Sequence, residues 1–284
     1  MLGAELVRLT SQAGHDVLSG YNAHFPPAGI PIRLNLKELG EIEPMIQNAR
    51  PEIIIHTAAV SDVDLCEEKP AIANLVNGDA TGKIGEVAED MQSHVVYVST
   101  DYVFDGKKGL YQEEDAPNPI NQYGLSKLHG EQLLKKSGAS WSIARTSVVY
   151  GWGREYQANF ATWLHQKLST QQVTRVVIDQ YASPTLNTQL ARMLLEVAER
   201  GLKGIFHLAG STRINRYQFA LGLARRFGFD ENLIVPVKSE SVDWKAKRPF
   251  DSSLNITKAL ETLNSKPVPT EMALEEFARE APKP

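Results

Sequence analysis

The chain has 284 residues, of which 42% are hydrophobic and 23% charged, and its formal net charge is −4. This composition is typical of a folded, water-soluble protein, and the negative charge argues against binding to nucleic acid. Cys66 is the single cysteine, which excludes an intrachain disulfide. Because there is neither an apolar run near the roughly 20 residues of a membrane span nor a signal-peptide pattern, we expect a cytoplasmic protein that does not bind membranes.

The first residues have the pattern of a glycine-rich turn that opens a helix. Residues 1–7 are similar to the end of a GxxGxxG turn, with Gly3 as its last glycine. In a dinucleotide-binding fold such a turn follows the first, central strand and binds the pyrophosphate. That strand and the two earlier glycines are absent from this sequence. Three interpretations stay open: a start further upstream, a degraded nucleotide site, or a helix unrelated to nucleotide binding.

Strand-like runs alternate with stretches of helical spacing along the chain. The strand-like runs cover 15–19, 30–34, 52–59, 94–100, 141–147, 173–178 and 205–209, and the helical stretches cover 39–48, 71–91, 124–136, 188–200 and 216–227. Continuous apolar runs such as 95–98 are typical of strands buried on both faces. The alternation predicts an α/β fold, a Rossmann-like doubly wound parallel sheet.

The composition changes near residue 150, which predicts two parts of different function. We expect residues 1–149 to form a dinucleotide-binding domain and residues 150–284, which are rich in Pro, Asn and Ser loops, to form mainly a smaller substrate-binding lobe. The strands at 173–178 and 205–209 are expected to rejoin the main sheet. The two parts would then be interleaved.

Tyr123 and Lys127 carry the strongest chemical signal. Their i,i+4 spacing in a predicted helix places a phenol and an ammonium on one face, where the cation can lower the pKa of the phenol for acid/base work. About 23 residues upstream of Tyr123, Ser99 and Thr100 end a buried strand, and the Thr100 hydroxyl could bind a substrate carbonyl oxygen. A solvated helix face and an ordinary strand end are the alternatives that stay open.

A second predicted strand ends in small residues that would let a cofactor approach the backbone. Thr57, Ala58 and Ala59 follow the apolar run 53–55. We interpret His56 as structural. The acidic residues at 62–68 have no His or Cys partner at metal-ligand spacing, so we predict no metal site.

The central block of the chain resembles the dTDP-4-dehydrorhamnose reductases, which belong to the extended short-chain dehydrogenase/reductase superfamily. The resemblance is carried by residues 99–106, 111–115, 117, 119 and 123–131, and it continues at 145–151, 159–160, 179–180, 183–185 and 247–254. The match is long and specific, because the superfamily pattern alone demands only Ser or Thr, Tyr and Lys.

This resemblance implies NADPH-dependent reduction of the C4 ketone of a nucleotide-diphosphate sugar, dTDP-4-dehydrorhamnose, in dTDP-rhamnose biosynthesis. It assigns catalysis to Thr100, Tyr123 and Lys127. The predicted cofactor-binding residues are Gly3, Asn22, Asn35, Leu36, Thr57, Ala58, Ala59, Ser99, Tyr123 and Lys127. The predicted substrate-binding residues are Asp101, Val103, Phe104, Asn159 and Arg248, the last because a guanidinium suits a diphosphate.

The sequence departs from the usual cofactor pattern after its second and third strands. Asn22 and the pair Asn35–Leu36 stand where a carboxylate often binds a ribose 2′-hydroxyl. Without that carboxylate a 2′-phosphate is not repelled, so we expect NADPH, with NADH possible. Some relatives pair through a magnesium site near the first helix, but only Glu5 is comparable here, so a homodimer is possible and no metal is predicted.

Two other functions compete with the reductase. One is a related nucleotide-sugar epimerase or dehydratase, which shares the Thr, Tyr and Lys but regenerates its cofactor. The other is a regulatory NADP-binding subunit resembling the methionine adenosyltransferase β subunit, whose relatives carry Ser where this chain has Thr100.

Overall fold

The computed structural model describes residues 1–153 and 159–282. Its strands are Leu18–Tyr21 (β1), Ile30–Arg33 (β2), Ile53–His56 (β3), His94–Thr100 (β4), Ser140–Thr146 (β5), Val149–Tyr150 (β6), Thr174–Val177 (β7), Tyr181–Ala182 (β8), Thr185–Leu186 (β9), Gly204–His207 (β10), Ile214–Asn215 (β11) and Ile234–Val237 (β12). Its α-helices are Leu2–Gln12 (α1), Leu39–Ala49 (α2), Val63–Glu68 (α3), Pro70–Ala73 (α4), Ala80–Asp90 (α5), Gln122–Lys136 (α6), Phe160–Ser169 (α7), Asn187–Glu199 (α8), Arg216–Phe227 (α9), Thr257–Thr262 (α10) and Thr270–Arg279 (α11).

The main sheet has four parallel strands in the order β10-β5-β4-β3. β1 and β2 form a separate parallel pair. Parallel neighbours need long crossover connections, and here the connections contain helices. The predicted Rossmann-type α/β architecture is confirmed.

The central strand β4 shows why helices cover both sides of the sheet. Side chains along a strand alternate between its faces. Val95 and Tyr97 belong to a hydrophobic cluster with residues of α2, α5 and α6, whereas Val96 and Val98 belong to another with residues of α1 and α8. The continuous apolar run of the sequence therefore serves two cores at once.

The second half of the chain contains a hydrophobic cluster of its own. Tyr150, Phe219 and Phe277 lie in a cluster formed largely by α7, α9 and α11. β7 pairs with β12, so the expectation that 173–178 rejoins the main sheet is wrong for the described residues. β10 pairs with β5, so the chain does return once from the second half to the main sheet.

Candidate active site

The candidate site lies at the carboxyl end of β4, beside the first turn of α6. Thr100 ends β4, and its hydroxyl accepts a hydrogen bond from the Tyr102 backbone N–H at 3.2 Å. The Asn121 side chain caps α6 by accepting a hydrogen bond from Gly124 N–H at 2.9 Å. A Cβ at Gly124 would collide with the Tyr102 carbonyl oxygen, so the glycine lets α6 approach this strand end closely. That contact brings Tyr123 to Thr100.

The Tyr123 phenol lies next to the Thr100 hydroxyl. Burial raises the pKa of Tyr123 well above its usual range, and the hydrogen bond with Thr100 is the largest influence that lowers it. The sequence predicts that the Lys127 ammonium lowers this pKa most. In the structure, the hydrogen bond with Thr100 lowers it most. A phenol with a raised pKa stays protonated at neutral pH, which suits a proton donor.

Lys127 is almost fully buried one turn further along α6. Its Nζ lies 4.1 Å from the centre of the Tyr97 ring, and the residue is 2% exposed. Burial lowers the pKa of Lys127 to about 7, although the Glu131 charge acts in the opposite direction. The ammonium is therefore poised to gain or lose its charge near neutral pH.

A buried ion pair holds α6 against the neighbouring strand β5. Arg145 Nε and Nη2 donate to the two Glu131 carboxylate oxygens at 2.9 and 2.7 Å. The Ser99 hydroxyl donates to the same carboxylate at 2.6 Å. Ser99 is 2% exposed and its hydroxyl is engaged in this network, and a contact of Ser99 with the cofactor stays a prediction.

Asp101 holds a second buried network directly behind Thr100. Its carboxylate accepts hydrogen bonds from Thr100 at 3.0 Å, Ser147 at 2.8 Å and Ser252 at 2.5 Å. Burial raises the pKa of Asp101 to about 6, and these hydrogen bonds act against that rise. Asp101 is 2% exposed and orients Thr100 from behind, and a direct contact of Asp101 with substrate stays a prediction.

Val103 and Phe104 also lie behind the site. Both residues have 0% exposed surface and belong to a hydrophobic cluster with Tyr111 and Leu254. The Phe104 ring stacks on Tyr111 with the ring centres 4.2 Å apart. Both residues therefore take part in the packing behind the site, and their contact with substrate stays a prediction.

Asn159 has both ends of its side chain engaged. Its Oδ1 caps α7 by accepting from Thr162 N–H at 3.2 Å, and its Nδ2 donates to Gly151 O at 2.8 Å. The amide therefore serves as a helix cap. A role of Asn159 in binding substrate stays a prediction.

Arg248 reaches the site region but is already paired. Its Nη2 lies 3.0 Å from Asp64 Oδ2, and Nη1 donates to Ala246 O at 3.0 Å. The side chain is 12% exposed, and its guanidinium lies over the Trp244 ring at 5.5 Å. A guanidinium carries five N–H donors, so this pairing leaves donors for a phosphate. Arg248 stays a predicted diphosphate ligand.

Six predicted cofactor residues line one cavity of about 440 Å³ beside β3. They are Asn22, Asn35, Leu36, Thr57, Ala58 and Ala59. Gly3 lies at the same place, because a Cβ on it would be 3.1 Å from Thr57 Oγ1. The first turn of α1 therefore faces the strand end that the sequence predicted as a cofactor edge.

Two residues of the site were missed from the sequence. The Tyr102 ring packs edge-on against Tyr123, with centres 5.9 Å apart, and the residue is partly exposed. Burial raises the pKa of Tyr102, and the charge of Arg216 lowers it. Tyr102 follows the end of β4 by two residues, and this position in the sequence could have indicated that it belongs to the site. Nothing in the sequence connects Arg216 to this edge of the sheet.

No metal centre accompanies these groups in residues 1–153 and 159–282. Among them, no three His, Cys, Asp or Glu side chains gather closely enough to hold an ion. The same residues contain no helix that is both long and apolar enough to cross a membrane.

A parallel sheet with Thr, Tyr and Lys collected at its carboxyl edge is the architecture of the extended short-chain dehydrogenase/reductase superfamily. The model of the RmlD substrate binding domain family matches residues 1–282. The chain belongs to this family.

Three relatives show the range of proteins that the chain is similar to. The crystal structure of a hypothetical dTDP-4-dehydrorhamnose reductase from Sulfolobus tokodaii is 37% identical, with a TM-score of 0.84 over 93% of this chain and 91% of that one. The Bacillus anthracis dTDP-4-dehydrorhamnose reductase, solved in complex with NADP, is 28% identical, with a TM-score of 0.84 over 98% and 97%. The Xenopus laevis methionine adenosyltransferase 2 subunit beta is 30% identical over 79% of this chain and 69% of that protein.

Proposed function

We propose that this protein is an NADPH-dependent reductase of the C4 ketone of dTDP-4-dehydrorhamnose, which it converts to dTDP-rhamnose. The observation that carries the proposal is the contact between the Thr100 hydroxyl and the Tyr123 phenol, with Lys127 one helical turn away. Membership of the family and the similarity to two dTDP-4-dehydrorhamnose reductases support the choice of substrate.

Tyr123 would donate the proton that the ketone oxygen needs as it becomes an alkoxide. Its raised pKa keeps the phenol protonated at neutral pH, and Thr100 holds its oxygen in place. Reduction consumes a proton at this oxygen, so a protonated phenol is the required form. Bound NADPH would supply the hydride for the carbonyl carbon.

Thr100 would polarise the same carbonyl by turning its hydroxyl proton away from Asp101. In this structure the Thr100 hydroxyl donates to Asp101 Oδ1, with the two oxygens 3.0 Å apart. When Thr100 turns, Asp101 keeps Ser147 and Ser252 as donors, so its carboxylate stays satisfied. The network therefore lowers the cost of giving this proton to a substrate.

The residues beside β3 fit a dinucleotide. Gly3 and Thr57 meet closely where the first turn of α1 would face a pyrophosphate, and Ala58 and Ala59 leave room beside the backbone. Asn22 and Asn35 add no negative charge that would repel a 2′-phosphate. Lys127, with a pKa of about 7, would gain charge next to an anionic or hydroxyl-rich ligand and hold the nicotinamide ribose.

A second candidate function is a regulatory subunit. The 30% identity to the Xenopus laevis methionine adenosyltransferase 2 subunit beta supports it. The protein would then bind NADP without turnover and copurify with a synthetase, whereas an epimerase or dehydratase would turn over sugar without net consumption of NADPH.

The decisive experiment measures loss of NADPH absorbance with dTDP-4-dehydrorhamnose and identifies the product by mass. If the protein is a reductase, the sugar gains two hydrogens for each NADPH consumed, one as a hydride from NADPH and one as a proton. Tyr123→Phe should lower kcat by roughly 10²- to 10⁴-fold. Tyr217→Phe changes a partly buried tyrosine that packs against the hydrophobic cluster of α7, α9 and α11; it is the matched control and should keep full activity. Full activity of Tyr123→Phe would refute the mechanism.

A further inference from the structure

The Lys127 ammonium lies against an aromatic ring. Its Nζ is 4.1 Å from the centre of the Tyr97 ring. Both residues are buried, with 0% of Tyr97 and 2% of Lys127 exposed. Besides burial, the ionisable groups of Glu131 and Cys66 influence the pKa of Lys127, and no hydrogen bond to a described residue does so. Because a buried cation without a partner is costly, the ring face of Tyr97 is the contact that compensates the ammonium for lost water.

The Tyr97 ring is held in place at both of its ends. Its Cα belongs to β4, and its phenol oxygen donates a hydrogen bond to Asn77 O at 2.8 Å. The same oxygen lies under Gly130 of α6, where a Cβ would be only 2.6 Å from it. Gly130 and Lys127 are three positions apart and therefore share one face of this helix. The ring thus lies along the face of α6 that carries the ammonium.

The other titratable groups around this ammonium do not compete with it for the ring. Among the described residues they are Glu131 and Tyr123 of α6, His56 of β3 and Cys66 of α3. The His56 ring stacks beside Tyr97 with the centres 5.4 Å apart, and burial lowers the pKa of His56 to about 3, so this imidazole is neutral. Burial raises the pKa values of Cys66 and Tyr123, so both stay protonated and uncharged at neutral pH. The charge of Glu131 is already shared with its buried guanidinium partner.

We propose that Tyr97 is a positioning residue whose aromatic ring keeps Lys127 charged while the N–H donors of the ammonium stay free for a ligand. A cation over a ring face is attracted without any hydrogen bond. A carboxylate in the same place would use up ammonium donors, of which lysine has three. The role rests on the proposed function, in which Lys127 holds the nicotinamide ribose. The ring then gives a buried lysine a charge that is ready before a hydroxyl-rich ligand arrives.

The test follows the ionisation of Lys127 in the whole chain by NMR of lysines that are isotope-labelled at Cε. The signal of Lys127 is the one that Lys127→Met removes. Tyr97→Leu should lower its titration midpoint by about one pH unit or more, because the attraction for the charged form is lost. Tyr97→Phe should keep the midpoint, since the ring is retained and Asn77 O still accepts from Thr81 Oγ1 at 2.9 Å. A midpoint that stays or rises in Tyr97→Leu, or that falls equally in both variants, would overturn the proposal.

Fluorinated rings at position 97 test the ring face with little change in shape, which matters if Tyr97→Leu does not fold. Phenylalanines with one, two or three ring fluorines should lower the Lys127 midpoint in roughly equal steps, because each fluorine withdraws electron density from the face. The matched control is the same series in place of Tyr150, which is also 0% exposed and packs against Phe219 and Phe277. That series should leave the Lys127 midpoint unchanged. Equal midpoints across the series at position 97 would overturn the proposal.

The pH profile of turnover tests whether the charge serves the site. In NADPH oxidation, kcat/KM should fall as Lys127 loses its proton, so the alkaline limb of Tyr97→Leu should begin at a lower pH by the same shift. Tyr97→Phe should restore the wild-type limb. A limb that stays in place while the NMR midpoint moves would overturn the role of Tyr97 in the site. The NMR titration uses neither cofactor nor substrate, so its result stands even if the proposed reductase activity fails.

Discussion

Glu131 and Arg145 form a two-point ion pair in a place where the carboxylate side chain is 0% exposed and the guanidinium side chain 1%. The pair joins α6, which carries Tyr123 and Lys127, to β5 of the main sheet. The helix that carries the proposed catalytic residues is therefore anchored through charge as well as through apolar packing.

Removing one partner of this pair should be strongly destabilising. Glu131→Gln leaves Arg145 buried without its counter-charge, and we expect a loss of about 3–5 kcal/mol in the free energy of unfolding at neutral pH, measured by urea denaturation. Burial raises the pKa of Glu131, but Arg145 more than offsets this and the pKa is lowered. A carboxylate with a lowered folded pKa stabilises the protein above its unfolded pKa and loses this effect as pH falls. The difference should therefore narrow below about pH 4.

The control for this prediction is the pair of Lys83 and Glu43, 2.7 Å apart on the surface. Lys83→Met should cost less than about 1 kcal/mol. Equal losses for Glu131→Gln and Lys83→Met would contradict the anchoring role.

Lys127→Met should lower the activity and raise the stability of the protein. Folded Lys127 has a pKa of about 7 because it is buried, whereas the unfolded side chain keeps its ordinary value. Between about pH 7 and 10 the unfolded state binds more protons, so the wild-type chain gains stability relative to the variant as pH rises, by at most on the order of 5 kcal/mol. Urea denaturation across this range measures the gain. Lys107→Met, whose side chain is 81% exposed in the wild type, should show no such pH dependence.

Asp101→Asn should reveal a positioning role. The pKa of Asp101 in the folded protein is about 6, which lies above its value in the unfolded chain. Between about pH 4 and 6 the folded state therefore binds more protons than the unfolded state. Wild-type stability should fall by on the order of 3 kcal/mol as pH rises through this range. The variant should lack this slope. We also expect kcat to fall by roughly tenfold, with loss of the acid limb near pH 6, because one carbonyl of an amide cannot satisfy three hydroxyl donors.

A surface carboxylate gives the comparison for Asp101. Asp115 binds Lys108 at the surface, and Asp115→Asn should leave both the stability slope and the pH profile of kcat in place. An Asp101→Asn variant with a wild-type pH profile would show that Asp101 only packs behind Thr100.

Gly124→Ala should displace Tyr123. The new Cβ would collide with a backbone oxygen of Tyr102, so α6 must shift. We expect at least a tenfold loss of kcat, on the order of the 10²-fold effect of a small misplacement of a reacting group. Gly40→Ala in α2 meets nothing within 4 Å and should be neutral or slightly stabilising. If both variants keep full activity, the close approach of α6 is not required.

The sequence predicted those features that depend on local pattern. The apolar run 95–98 predicted a strand buried on both faces, and β4 is such a strand. The i,i+4 spacing and the Thr100 strand end predicted a site at the sheet edge, because parallel strands end together at one edge. The cavity residues after β1, β2 and β3 follow from the same rule.

Features that depend on distant partners could not be predicted. Asp101 is held by Ser147 and Ser252, which no local pattern connects to it. The predicted helix 71–91 contains a π-helical turn at Asn74–Asp79, where the Asn77 side chain bonds both the backbone N–H and the carbonyl of Val60. The pairing of β7 with β12 likewise joins two segments that lie far apart in the sequence.

Ser252 reaches Asp101 from 151 positions further along the chain. During synthesis Thr100, Tyr123 and Lys127 are all complete once β4 and α6 have been made. Asp101, which orients the Thr100 hydroxyl, obtains its hydrogen bond from Ser252 only after the segment around Ser252 has been made and has folded back. Nascent chains that stop before this point lack one of the three hydroxyl donors of Asp101, so the complete arrangement behind Thr100 forms only once residue 252 has been added and folded.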